Sequence, residues 1–439
     1  MKIEFEKKTR GIAKNLRALL GSRLSKNIIS MYFVQGARYL IPLITIPYLA
    51  RVLGVSSWGS LAFTQAFSLY LCLIVDYGFE LSATREIAEN KGNKEKMADT
   101  LANVLSVKLC LSFIIILAAS IIQKYFGSFV VSPILYWVGI FWALANTFNL
   151  FWFFQGVERV HLLAGLDVMS KLIGIAMILC LVKSPGDEWI VLAVYGGSST
   201  VVFFISLYLA FDRVGFGVPS ISSSISMLKY GWNTFLIRFF SGIYTSSSPF
   251  ILGLLVTPEI VGPYSAAEKV ARTAKEMMRP ITRTLYPRFS VLLKNEPSQA
   301  QLQICRTLFW LSILGAALTG IVYWFSGPII GLLFGPGYEA AIPILKIMSF
   351  VIFLSTVSNV LGIQWLLPNG FDKKVTFLTF MTLAIFIIAT IIFVPSSGGL
   401  GMAVSILVAE FSMIAMCLIV LKQQNLIIFS TPRNPESTD

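Results

Sequence analysis

The sequence predicts an all-α integral membrane protein: twelve transmembrane helices in two pseudo-symmetric six-helix bundles around a central cleft. Three observations carry this. Of 439 residues, 56% are hydrophobic and 13% charged, about half the charged share of a soluble domain, and mean hydropathy is +0.76. Long uncharged runs recur at 125–157, 189–211 and 307–338. Lys and Arg are rich in every second connection and sparse in those between.

A helix needs about 20 apolar residues to cross a bilayer core. On that length the spans fall at 27–50, 57–79, 101–123, 131–154, 161–182, 189–211, 230–256, 260–290, 303–326, 341–367, 374–394 and 399–421. The eighth is charged throughout, and hydropathy alone misses it. Basic residues require it nonetheless. One set of segments holds the N-terminal tail, Arg85, Lys91, Lys94, Lys96, Arg159, Arg213, Lys229, Arg288, Lys294, Lys373, Lys374, Lys422 and Arg433; the other holds only Arg51, Lys124 and Lys183. The alternation works only if 260–290 crosses, and it puts both termini on the cytoplasmic side. The basic N-terminus runs too long before the first apolar stretch for a cleavable signal peptide.

The two halves echo each other. Pro47-Tyr48-Leu49 leads to Gly59 as Pro249-Phe250-Ile251 leads to Gly262, and Pro133-Ile134-Leu135 precedes Asn149 as Pro343-Ile344-Leu345 precedes Asn359. Offsets of about 200 residues read as duplication. The expected organisation is a basic cytoplasmic segment 1–26, a six-helix bundle 27–211, a cytoplasmic linker 212–229, a second bundle 230–422 and a cytoplasmic tail 423–439. Pro42, Pro47 and Pro249 are expected bending points.

The net charge of +13 is concentrated. Residues 1–26 hold eight bases and two acids, and 268–294 hold seven bases and two acids. A general affinity for nucleic acid is not the reading; the first cluster orients the chain, and the second lies inside the membrane. Intramembrane charges are costly and face a cavity or a partner. Arg272, Lys275, Arg279 and Arg283 fall on one face of a continuous helix. Two alternatives stand for them: pairing with Glu268 and Glu276, or lining a water-filled cavity. The acids are too few for the five bases from 269 to 283, which favours the cavity. Arg38 and Arg238, in the paired first and seventh spans, are candidates for the same cationic cavity or for pairing with an acid such as Asp76. Arg binds phosphate and carboxylate through paired donors, so the expected cargo is anionic. Asn149 and Asn359 are candidate sugar contacts or interhelical glue. Asp76, Asp167 and Glu410 are candidate coupling or gating acids, with Asp167 also placed to pair with Lys171. No catalytic residue, metal site or cofactor is expected: His161 is the single histidine, the five cysteines are scattered, and no phosphate-binding loop is present.

Several motifs carry a resemblance. Ile41-Pro42-Leu43 through Pro47-Tyr48-Leu49-Ala50-Arg51-Val52-Leu53-Gly54 to Trp58-Gly59 resembles the opening of polysaccharide-biosynthesis flippases, as does Asp76-Tyr77-Gly78-Phe79 followed by Ala83-Thr84-Arg85-Glu86-Ile87-Ala88. Trp152-Phe153-Phe154-Gln155-Gly156-Val157-Glu158-Arg159 resembles the end of their fourth span. Leu333-Phe334-Gly335 with Tyr338, and Leu366-Leu367-Pro368-Asn369-Gly370, resemble their second half. The family is the Wzx-type O-antigen flippases, within the multidrug/oligosaccharidyl-lipid/polysaccharide exporter superfamily.

The resemblance implies movement of undecaprenyl-pyrophosphate-linked oligosaccharide, the O-antigen repeat unit, across the bacterial inner membrane by alternating access. Implied partners are that lipid, membrane lipids, and the polysaccharide polymerase and chain-length proteins. Two alternatives remain at this level. A cation-coupled multidrug antiporter of the same superfamily would want acids in the first or seventh span, where this chain has Arg. A non-transporting scaffold or enzyme of polysaccharide assembly is the other; an enzyme would need a large external loop, which the short connections do not supply.

Overall fold

The computed structural model describes residues 23–125, 132–246, 248–424 and 426. Within them the chain is helical: α1 (Arg23–Asp76), α2 (Phe79–Glu89), α3 (Lys94–Tyr125), α4 (Pro133–Thr147), α5 (Phe151–Gly156), α6 (Val160–Leu181), α7 (Glu188–Val214), α8 (Ile221–Ser246), α9 (Ser248–Gly253), α10 (Pro258–Glu276), α11 (Arg279–Asn295), α12 (Pro297–Trp324), α13 (Ser326–Leu333), α14 (Ala341–Asn359) and α15 (Asp372–Gln423). Helix is what an apolar chain adopts in lipid, because it satisfies every backbone donor and acceptor within the segment. Among the described residues, eight helices are long and apolar enough to cross a membrane. The chain is a multi-pass membrane protein.

Two of those helices are too long for one crossing and break at glycine. Gly54 (φ +70°) divides α1, and Gly398 (φ +51°) divides α15; both sit in the left-handed region that a side chain disfavours. In α15 the break reverses the chain. Thr382 Oγ1 lies 3.4 Å from Met413 Sδ, and Thr390 Oγ1 lies 3.9 Å from Met402 Sδ. On a straight helix Thr382 and Met413 would be about 46 Å apart. The two arms are therefore antiparallel and pack side by side.

The eighth predicted span is not one continuous helix. It is α10 and α11, separated by Met277 and Met278, whose amides donate back three residues to Ala274 and Lys275. Pro280 is the cause: it has no N–H to offer the Glu276 carbonyl, and its ring disfavours the turn before it. The single stripe from Arg272 to Arg283 is thus split between two helices. Helix α10 is nearly neutral in hydropathy and is absent from the eight apolar candidates. The fourth predicted span is likewise divided into α4 and α5. The tenth continues from α14 into a π-helical turn, Val360–Leu366.

The described chain forms two compact units. One comprises residues to Ile46, Ser68–Lys183 and Asp187–Arg238; the other comprises Pro47–Phe67, Ser184–Gly186 and the residues from Phe239. In the first unit, Phe79, Ala83 and Ile87 of α2 pack against Trp152, Phe153 and Phe154 of α5, with Leu101 and Val104 of α3. The aromatic run of the fourth span is therefore core here. In the second unit, Ile304 and Leu308 of α12 meet Val360, Leu361 and Trp365 of the π turn and Cys417, Val420 and Leu421 of α15. Helix α12 also turns Phe309 and Trp310 outward, 60% and 66% exposed, as a lipid-facing surface requires.

Candidate functional site

The second unit contains a cavity of about 520 Å³ walled by α10, α11, α14 and α15. Helix α10 supplies Glu268, Arg272, Lys275 and Glu276; α11 begins with Arg279; α15 adds Glu410; and α14 contributes Ser355, Thr356 and Asn359. Five residues singled out from sequence, Arg272, Lys275, Arg279, Asn359 and Glu410, thus line one cavity.

The wall is charge-balanced among these residues. Arg272 pairs with Glu268 one turn earlier. Arg279 Nη1 lies 2.7 Å from Glu276 Oε2. Lys275 Nζ lies 3.4 Å from Glu410 Oε1, whose other oxygen accepts from Ser358 Oγ at 3.1 Å. Glu410 is 5% exposed and Lys275 42%, so the carboxylate is held in the wall and the ammonium reaches the space. Lys269, the first of the five bases, is not among the cavity-lining residues: its ammonium sits 4.4 Å above the Trp58 ring and 3.4 Å from Gln65 Oε1. Counting charges along one span overlooked Glu410, which is 135 residues away in sequence. Asn359 Oδ1 accepts from Gln364 Nε2 at 3.4 Å, and that amide also donates to the Thr282 carbonyl at 3.0 Å. The side chains of Arg38 and Arg283 lie outside the described residues.

A second charged cluster belongs to the first unit. Lys108, 1% exposed, donates to Asp76 Oδ1 at 2.8 Å and to the Thr147 carbonyl at 2.6 Å. Arg238 lies 2.7 Å from Glu80 Oε2 and 3.6 Å from Asp76 Oδ2. Of the two sequence alternatives for Arg238, pairing with an acid is the one present here. Asp76 therefore joins a base from α3 and a base from α8; the sequence offered the Arg238 pairing but not the one with Lys108. Beside it, Tyr77 stacks on Phe235 at 4.7 Å between centroids, which fixes α8 against the α1–α2 corner.

The remaining candidates sit apart. Asn149 Oδ1 accepts the Phe151 amide at 2.9 Å, closing an Asx turn just before α5. Asp167 pairs with Lys171 at 2.6 Å along α6. Arg85 pairs with Glu89 on an exposed face of α2. Among the described residues no group of three His, Cys, Asp or Glu gathers as a metal site would need.

Comparison with known proteins gives four likenesses. Residues 24–293 match a family model described as "Polysaccharide biosynthesis protein". A protein of Escherichia coli K12 named "Putative O-antigen transporter" is 27% identical over 410 residues, covering 92% of this chain and 98% of that protein. Among solved structures, the lipid II flippase MurJ in an inward closed conformation superposes with a TM-score of 0.69 at 14% identity, over 90% of this chain and 87% of that one. An inward-facing multidrug resistance MATE transporter of the MOP superfamily gives 0.66 at 14% identity, over 88% and 94%. At such identity the two structures speak for the fold alone.

Proposed function

The chain belongs to the polysaccharide biosynthesis protein family, and from that premise we propose that it is a flippase carrying a polyprenyl-pyrophosphate-linked oligosaccharide, an O-antigen repeat unit, across the bacterial inner membrane. The observation that carries this reading is the match over most of the chain to a protein named as an O-antigen transporter, 98% of whose length is covered. It acts by alternating access, with both termini cytoplasmic. Its partners are the lipid-linked cargo, the surrounding lipids, and the polymerase and chain-length proteins that take up the product. It works as a transporter and not as an enzyme.

The physical demand is to move a pyrophosphate through a low-dielectric interior, where an isolated charge is costly. Arg272, Arg279 and Lys275 meet that demand in a particular way. Each is paired with a carboxylate of the wall, so its own burial is compensated within the protein. A phosphate oxygen would replace a carboxylate as the partner of the same guanidinium, which costs less than creating a cation site anew. Arg38, Arg238 and Arg283 belong to the same proposal as further cationic contacts. Asn149 and Asn359 are proposed sugar contacts, and Asp76, Asp167 and Glu410 coupling acids. The polyprenyl tail stays in lipid.

The test is complementation. A flippase-null strain bearing the matching sugar pathway should regain surface O-antigen when this chain is expressed. Arg272→Gln and Arg279→Gln should each lower display at least tenfold when compared at matched protein level. Export of cationic dyes without restored O-antigen would instead favour the antiporter. Normal display by both neutral variants would sink the cavity's proposed role.

A further inference from the structure

The first unit contains a separate cavity of about 490 Å³, walled by α2, α3 and α8. It differs in chemistry from the cavity of the second unit. Its lining groups are carboxylates (Glu86 and Asp99), carboxamides (Asn90 and Asn103) and hydroxyls (including Ser222 and Ser223). Lys96 is its one base. Two acids against one base make it a poor site for phosphate.

The walls are held by specific contacts. The segment before α8 is pressed onto α3: a Cβ on Gly217 would lie 2.2 Å from the Ala98 carbonyl oxygen. Asn103, 4% exposed, accepts from the Ser220 amide at 2.8 Å and from Ser224 Oγ at 3.2 Å. Asp99 Oδ1 accepts from the Val218 amide at 3.4 Å. Glu86 Oε1 accepts from Thr100 Oγ1 at 3.3 Å, and the Asn90 amide donates to the Glu86 carbonyl at 2.9 Å. Each carboxylate thus has one oxygen held by the protein and, among the described residues, a second with no protein partner. The Ser222 and Ser223 hydroxyls have no protein partner among the described residues. The volume suits a small ligand. The free valences are paired acceptors from planar groups beside hydroxyls that both donate and accept.

We propose that this cavity is a carbohydrate-recognition site, binding uncharged sugar hydroxyls of the cargo's oligosaccharide through Glu86, Asp99 and the serines of α8. Vicinal hydroxyls donate to the open carboxylate oxygens, and ring and hydroxyl oxygens accept from Asn90, Ser222 and Ser223. The inference rests on the flippase reading and deepens it: the sugars are selected in the first unit, by groups that do not hold pyrophosphate.

The full-length protein in detergent is titrated with oligosaccharide freed from the host's lipid carrier by mild acid, and separately with inorganic pyrophosphate. Wild-type protein should bind the oligosaccharide. Ser223→Phe, which fills the cavity, and Asp99→Asn should each weaken it at least tenfold, whereas Ser223→Thr should stay within twofold. Pyrophosphate binding should be the same in all four proteins. Unchanged sugar affinity in Asp99→Asn and Ser223→Phe overturns the site. So does displacement of the sugar by pyrophosphate, which would mark an anion site. Asp99→Asn, nearly isosteric, serves as the variant if Ser223→Phe does not fold. Complementation separates the two claims. If the wild type fails to restore O-antigen, the flippase reading falls; if wild type and both variants restore it equally and bind sugar equally, only this inference falls.

Discussion

Gly59 and Gly262 meet at a helix crossing that leaves no room for a side chain on either. A Cβ on Gly59 would lie 2.9 Å from the Gly262 nitrogen and 2.0 Å from the Pro258 carbonyl oxygen, and one on Gly262 would lie 2.4 Å from the Val55 carbonyl oxygen. These are the two glycines that close the first sequence echo. Ser56 Oγ also donates to Glu259 Oε1 across the same crossing at 2.7 Å. The two echoing segments therefore pack on one another within the second unit. Small residues permit such approach, and in lipid close packing is a main source of helix association.

Gly59→Ala and Gly262→Ala should accordingly each reduce folded protein, because the obstacle is backbone and cannot turn aside. A loss of roughly 2 kcal/mol is the scale of overpacking a tight contact. Thermal unfolding in detergent, followed by tryptophan fluorescence, checks it. Gly165→Ala, where a Cβ meets nothing within 4 Å, is the matched control and should be neutral.

Lys108 is the most deeply buried base among the described side chains that pair, at 1% exposure. Lys108→Met should cost about 3 kcal/mol by leaving Asp76 with only the longer Arg238 contact. The double variant Lys108→Met/Asp76→Asn should recover part of that loss, since it removes the uncompensated charge as well. Equal melting temperatures for single and double variants would refute a coupled pair.

Lys275 and Glu410 make an asymmetric pair, and the asymmetry predicts an order. The carboxylate is buried and the ammonium is half-exposed. Lys275→Met strands a buried charge, whereas Glu410→Gln leaves a lysine that water can reach. Lys275→Met should therefore be the more destabilising, by about 1–2 kcal/mol. A thermal-shift comparison of the two singles and the double gives the coupling directly.

Outside the membrane, Lys91 lies 2.8 Å from Glu158 and holds that carboxyl below its ordinary range. A lowered acid contributes its stabilisation above the unfolded carboxylate pKa and loses it as pH falls through the folded value. Both groups are well exposed, so the effect is small and screened by salt. Amide exchange in the turn at 157–159 should quicken as pH is lowered through the carboxylate range, after correction for the intrinsic rate. Glu158→Gln should remove that pH dependence, and 0.5 M salt should weaken it.

Composition and charge pattern alone determined much of this molecule. A chain this apolar, with charge-free runs of membrane length, has to be helical, because lipid offers its backbone no partner. The echoes around Gly59 and Gly262 were visible as spacing, and so was the charge of α10, since both are local properties. Tertiary structure decided where those charges go. Glu410 neutralises Lys275 from 135 residues away, Lys108 and Arg238 converge on Asp76 from separate helices, and α3 and α8 together wall a hydroxyl-rich cavity. None of these is a short-range pattern. Pairing inside a membrane is set by which helix faces meet, and a single sequence records faces but not their neighbours. The break between α10 and α11 lies between the two cases: Pro280 was present to be read, but the apolar and basic periodicity around it argued for one continuous span.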